Sequence, residues 1–92
     1  MKMFDWDNQK NVELRNSRNV SFEDVLYYIE KGEILDILEH PNQTKYPGQK
    51  YFILEINDYV YYLPFVEDEH TVFLKTIIPS RKYTKKYLRD EK

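Results

Sequence analysis

Phe22, Val25, Leu26 and Ile29 recur at i, i+3, i+4 and i+7, the spacing that gathers apolar side chains on one helical face. Ser21 stands where an N-cap belongs, and Asp24, three residues on, completes an acidic form of the capping box. Val20 and Val25 are placed for a hydrophobic staple across that cap. Gly32 follows Lys31, as expected just past a helix C-terminus. The pattern predicts a helix over 22–31. A weaker one, capped by Asp7 or Asn8 and carrying Val12 and Leu14, predicts an earlier helix to about Ser17, with Arg18-Asn19 as the turn after it. Before it, Phe4-Asp5-Trp6-Asp7 alternates apolar and acidic, as a short strand does.

Beyond Gly32 the pattern changes to strands. Ile34 to His40 is apolar-rich and stopped by Pro41, and 41–48 reads as a loop by composition. Tyr51 to Ile56 and Tyr59 to about Val66 are joined by Asn57-Asp58, a tight turn without the usual glycine. Pro64 marks an edge or a bulge in the second of these. Thr71 to Ile78 is the last strand, and Ser80 is placed to cap a final helix from Arg81, with Tyr83, Tyr87 and Leu88 as its contacts. The expected fold is a small single α+β domain over 1–92: an antiparallel meander with two N-terminal helices and a C-terminal helix.

Alternation along the strands assigns faces. Phe52, Leu54 and Ile56 share one face, with Val72, Leu74, Thr76 and Ile78 expected to join them as core. The other face carries Tyr51, Ile53 and Glu55 on one strand, and Thr71, Phe73, Lys75 and Ile77 on another. Between them, Tyr59, Tyr61, Leu63 and Phe65 alternate with Val60, Tyr62 and Pro64. Such a mixed aromatic face is either covered by helices or open as an RNA platform, where rings stack on bases and cations hold phosphates.

Composition narrows the function classes. Nine Tyr, five Phe and one Trp give a small domain much area to bury per residue. The absence of Cys excludes disulfides, thiolate metal sites and a cysteine nucleophile. No apolar stretch is long enough for a signal peptide or a membrane span, so the expected compartment is the cytoplasm. There is no phosphate-binding glycine loop, nucleophile elbow or paired-histidine metal motif, so neither a cofactor nor a metal is expected. His40 and His70 each sit beside an acid, either as exposed loop histidines or as a pair that must converge in space to bind a metal.

Net charge is −2, but it is unevenly spread. From Lys75 onward, Lys75, Arg81, Lys82, Lys85, Lys86, Arg89 and Lys92 stand against Asp90 and Glu91, a segment of +5 beside a remainder of −7. A basic end on an acidic body is either a solvated helix or a polyanion-binding site.

The opening FDWDNQKN, the segment NVSFEDV and the run Ile77-Ile78-Pro79-Ser80-Arg81 together resemble the BrnT family of ribonuclease toxins. Trp6, Asp7, Lys10 and Asn11 match its W-D-x-x-K-x-x-N stretch, and Val20, Ser21, Phe22 and Glu23 its V-S-F-E segment. The chain departs from the family's K-H-G, with Ser17-Arg18-Asn19 in its place, and its C-terminal run is rich in lysine and tyrosine rather than arginine. The resemblance implies a RelE-like fold and metal-independent RNA cleavage that inhibits growth or translation. It also implies neutralisation by a cognate antitoxin, commonly a DNA-binding dimer, within a bacterial type II toxin–antitoxin system. Such cleavage needs a base for the 2′-hydroxyl, cations for the phosphorane and an acid for the leaving oxygen. Arg81 matches the family arginine and suits the phosphorane charge. By placement, Lys75 is a second cation, Glu55 or His40 the base, and Tyr83 or Tyr61 the base-orienting ring. Lys82, Lys85 and Lys86 are the expected RNA contacts. The alternative is a non-catalytic binding domain with a toxin-like fold.

Overall fold

Two helices form where the caps predict them. The computed structural model describes residues 2–89; Asp90, Glu91 and Lys92 of the basic segment lie outside the described residues. After strand β1 (Met3–Asp5), helix α1 (Asn8–Arg18) is capped by the Asp7 carboxylate, which accepts from the backbone N–H of Gln9 and Lys10. It ends on Asn19 in the left-handed region, φ 58°, which asparagine tolerates better than most side chains. Helix α2 (Phe22–Glu30) opens on the complete Ser21–Asp24 capping box. It closes as a Schellman turn: Gly32, at φ 75°, donates to the carbonyl of Ile29, and Glu33 donates to that of Tyr28.

Asn11 joins the two helices. Its buried side chain accepts from the Phe22 N–H at 2.7 Å and donates to the Glu23 carboxylate at 2.8 Å. Trp6 stacks on Phe22, ring centroids 5.5 Å apart. Trp6, Asp7, Asn11, Ser21, Phe22 and Glu23 are thus one clasp of caps and packing around the α1–α2 joint.

The sheet is mixed. Strands β2 (Ile34–Glu39), β3 (Lys50–Ile56), β4 (Tyr59–Glu67) and β5 (Thr71–Leu74) form an antiparallel meander, and β1 adds in parallel beside β5. Strand β6 (Ile78–Pro79) pairs with the start of β4, and α3 (Arg81–Thr84) runs on into a π-helical turn, Lys85–Arg89. The Asn57-Asp58 turn has both residues at positive φ, 55° and 67°, as a two-residue hairpin of type I′ demands. The whole is a compact α+β domain whose main core lies between α1, α2 and one sheet face.

The strand expected over 71–78 is interrupted. Phe65 pairs with Leu74 and Tyr62 with Ile78, so two residues on β4 face three on the other strand. Pro64 sits in that gap. Its carbonyl accepts from the Lys75 N–H at 2.9 Å, but it has no N–H to return, and the ladder opens there as a bulge. The extra residue reverses the alternation. Ile77, not Ile78, is fully buried in the helix-side core, and Thr76 and Ile78 are only half-buried.

Asn11→Ala removes a buried acceptor and leaves the Phe22 N–H unpaired. It is expected to lower unfolding free energy by about 1–3 kcal/mol in urea titrations, with the urea m-value unchanged.

Candidate nucleic-acid interface

The sheet face turned away from α1 and α2 carries a groove of about 540 Å³, with Leu38, Tyr51, Tyr62, Ser80, Lys82 and Tyr83 among its lining residues. Three devices build it. Alternation points Tyr51 and Tyr62 to this face, where they pair across β3 and β4 with adjacent register and rings 5.0 Å apart. The bulge at Pro64 lets β6 run along β4 so that the Ser80 N–H reaches the Val60 carbonyl at 3.0 Å. Thr84, buried, then accepts from the Val60 N–H at 2.9 Å and donates to the Ser80 carbonyl at 2.7 Å. Both backbone groups of Val60 are engaged by the 80–84 segment, so α3 is held against β4 and brings Tyr83 to 5.8 Å from Tyr62. Ser80 also caps α3 by accepting from the Tyr83 N–H.

The ring series continues at both ends. His40, just past β2, lies 5.5 Å from Tyr51 and 4.3 Å from Tyr46. Loop 41–48 is held by Gln43, which donates to the carbonyls of His40 and Gln49 and accepts from the Gly48 N–H. His40 Nδ1 accepts from the Asn42 N–H at 2.9 Å, so in the neutral ring the proton is on Nε2, as a donor. At the other end Tyr83 meets Tyr87, whose hydroxyl donates to Asp36 at 2.8 Å.

Burial pushes the Tyr51 phenol up, with Tyr62, Tyr83 and Tyr46 adding to it, so it remains a hydrogen-bond donor at neutral pH. Tyr87 is pushed up to about 12, first by loss of solvent and then by its bond to the Asp36 carboxylate. A row of half-buried phenols beside a lysine is a surface that can stack on planar rings and donate to phosphate oxygens.

Among the residues expected to carry chemistry, Lys82 and Tyr83 line this groove and His40 stands at its rim. Arg81 is exposed at the first position of α3, next to Ser80 and Lys82. Lys85 and Lys86 follow, also exposed, with the Lys86 ammonium over the Tyr87 ring. Tyr61 is on the opposite face, against the main core, because it pairs with Leu54. Glu55 and Lys75 do not meet. Lys75 bonds to Pro64, whereas Glu55 pairs with Val60 four residues back, about 13 Å along the strand at some 3.3 Å per residue. Glu55 instead lines a second hollow, at the β2 end of the sheet. Sequence reasoning missed Tyr51 and Tyr62 as an edge-to-face pair. The signal was present in the strand alternation, but it needed the β3–β4 register.

Among the described residues, no group of three or more His, Asp or Glu is placed to hold a metal ion. Among the described residues no helix is long and apolar enough to cross a membrane. No family model, no curated protein and no solved structure matches the chain.

An alkaline absorbance titration is expected to show a late tyrosinate component near pH 12 that disappears in Tyr87→Phe. The raised value belongs to the folded protein. Its stabilising contribution is therefore complete below the ordinary tyrosine value near 10 and is lost as pH rises through about 12.

Proposed function

We propose that this chain binds single-stranded RNA in the groove between β2, β3, β4 and α3, and acts there as the ribonuclease toxin of a toxin–antitoxin pair. The observation that carries the binding is the ring series His40–Tyr51–Tyr62–Tyr83 with Lys82 at its end and Arg81 next to it in sequence. Ring centroids 5.0 to 5.8 Å apart give splayed bases several rings to stack on, and Lys82, over the Tyr83 ring, is the cation beside them for a phosphate.

The cleavage half of the proposal rests on the likeness to the BrnT family and on the donors around the groove. The RNA 2′-oxygen attacks the adjacent phosphorus and its proton passes to water at the open rim. Arg81 and Lys82 offset the charge gathered on the phosphorane. His40, its Nδ1 accepting from the Asn42 N–H, donates an Nε2–H hydrogen bond to a phosphoryl oxygen, and the leaving 5′-oxygen takes its proton from water. Glu55 and Lys75 have no part in it. In this reading an antitoxin is the partner that keeps the toxin silent.

A second reading, a binding domain without cleavage, draws on one feature: neither carboxylate–lysine pairing nor any metal cluster accompanies the rings among the described residues. The two readings separate cleanly in one experiment. Induced alone, the chain is expected to arrest growth, and Arg81→Ala at equal protein level is expected to relieve the arrest. In vitro, Tyr83→Ala should weaken binding of single-stranded RNA by about 1–3 kcal/mol. Lys82→Gln should reduce the slope of log K against log salt by about 0.7. RNA bound with this salt dependence but left intact, with no arrest, is the result of the second reading. No salt-dependent binding removes both.

A further inference from the structure

Strand β2 is the last in the sheet order, and among the described residues no strand pairs with its outer margin. Leu35 is 41% exposed and Ile37 51%. Just beyond Leu35, the hollow of about 690 Å³ at the sheet end is lined by Tyr28, Glu33, Leu35, Glu55 and Asp58 among others, three of them acids and none a cation. Lys31, the nearest base in sequence, is turned to Glu33 at 3.7 Å and lies over the Tyr27 ring. Glu55 and Asp58 make no ion pair among the described residues. Two exposed apolar side chains on β2, Leu35 at the bulge after Ile34 and Ile37 opposite Phe52, therefore stand near a carboxylate-lined hollow that includes Tyr28.

We propose that this margin docks a basic amphipathic helix of another protein, with a Lys or Arg seated in the hollow between Glu33, Glu55 and Asp58 and two apolar side chains on Leu35 and Ile37. The charge chooses the occupant. RNA is repelled by the acids, and the site is separate from the groove proposed for it. A second copy paired antiparallel along this edge would set Asp36 and Glu39 of one chain against Glu39 and Asp36 of the other, on bodies that each carry −7 up to residue 74. A cation, by contrast, meets three carboxylates in a hollow that Tyr28 also lines.

The edge also selects side chains over an added strand. The His40 N–H bonds to the Gln49 carbonyl on the β3 side, so by alternation the Ile37 N–H points outward. That N–H is already taken by the Asp36 carboxylate at 2.8 Å, and the other Asp36 oxygen accepts from Tyr87. With its central donor covered, the margin offers a partner its apolar and acidic side chains rather than a free ladder.

The test uses the full chain and a fluorescently labelled synthetic peptide of Leu and Lys at helical spacing, with a Leu–Glu peptide and a scrambled Leu–Lys peptide as controls. Anisotropy is expected to detect binding of the first peptide alone. Glu55→Lys and Ile37→Ser, at positions outside the buried core, should each weaken it by about tenfold or more, while Glu69→Lys, on the distant 68–70 turn, should change it by less than about twofold. Circular dichroism confirms that each variant is folded, and Glu33→Lys replaces Glu55→Lys if that one is not. Equal weakening by Glu69→Lys, equal binding of the scrambled peptide, or no effect of Glu55→Lys or its replacement overturns the proposal. So does a dimer of the unmodified chain that Ile37→Ser abolishes, because the second copy is then the occupant.

Discussion

The missing N–H of Pro64 shapes this molecule more than any single contact. Pro64 lies within β4, the strand flanked on both sides, and its carbonyl faces β5. A strand that pairs there finds an acceptor but no donor, and the ladder opens by one residue. Everything after that break depends on the shift. Ile77 turns into the core, and its carbonyl is taken by the Arg18 guanidinium at 2.6 Å, which ties the end of α1 to the interrupted strand. Ile78 and Pro79 rejoin β4 farther back, and the chain arrives at Val60 in position to satisfy both of its backbone groups. The aromatic groove is a consequence: α3 is seated beside Tyr62 because the sheet could not continue past Pro64.

The residues that resemble the BrnT motifs have a different task. Asp7 caps α1, Ser21 caps α2, Asn11 bonds to the start of α2, and Trp6 stacks on Phe22. The Asn11 amide, the Glu23 backbone N–H and Arg15 together hold Glu23 below the usual carboxylate range. These are requirements of a helix–helix joint, on the sheet face opposite the groove. Arg18, which stands where the family has its histidine, is likewise engaged in holding the fold. The case for RNA chemistry therefore rests on the other face, on rings and cations that the first two motifs do not include.

What was legible in the sequence follows the range of the interactions. Helix α2 was readable from end to end because Ser21, Asp24 and Gly32 act within a few residues of themselves. The β3–β4 hairpin was readable because Asn57 and Asp58 accept positive φ, and Phe52, Leu54 and Ile56 alternate without interruption. The Pro64 break was signalled, but the direction of its shift was not, so Ile77 and Ile78 were assigned to the wrong faces. The parallel addition of β1 to β5 joins residues nearly seventy apart by register alone, with no local mark. For the site, Lys82, Tyr83 and His40 were named from composition and placement. Glu55 and Lys75 were paired by face without their position along the strand, and Tyr62 was passed over for its neighbour Tyr61. Faces come from alternation, but proximity comes from register, and register here is set by one proline.

The central claim is that the groove built by this break is where RNA binds. The most direct measurement is an amide chemical-shift map of the isotopically labelled chain titrated with a short single-stranded RNA whose 2′-hydroxyls are methylated to block cleavage. The account predicts shifts concentrated at residues 38–41, 51, 62 and 80–83, diminishing as salt is raised. Shifts centred on α1 and α2, or none at all at low salt, would contradict it.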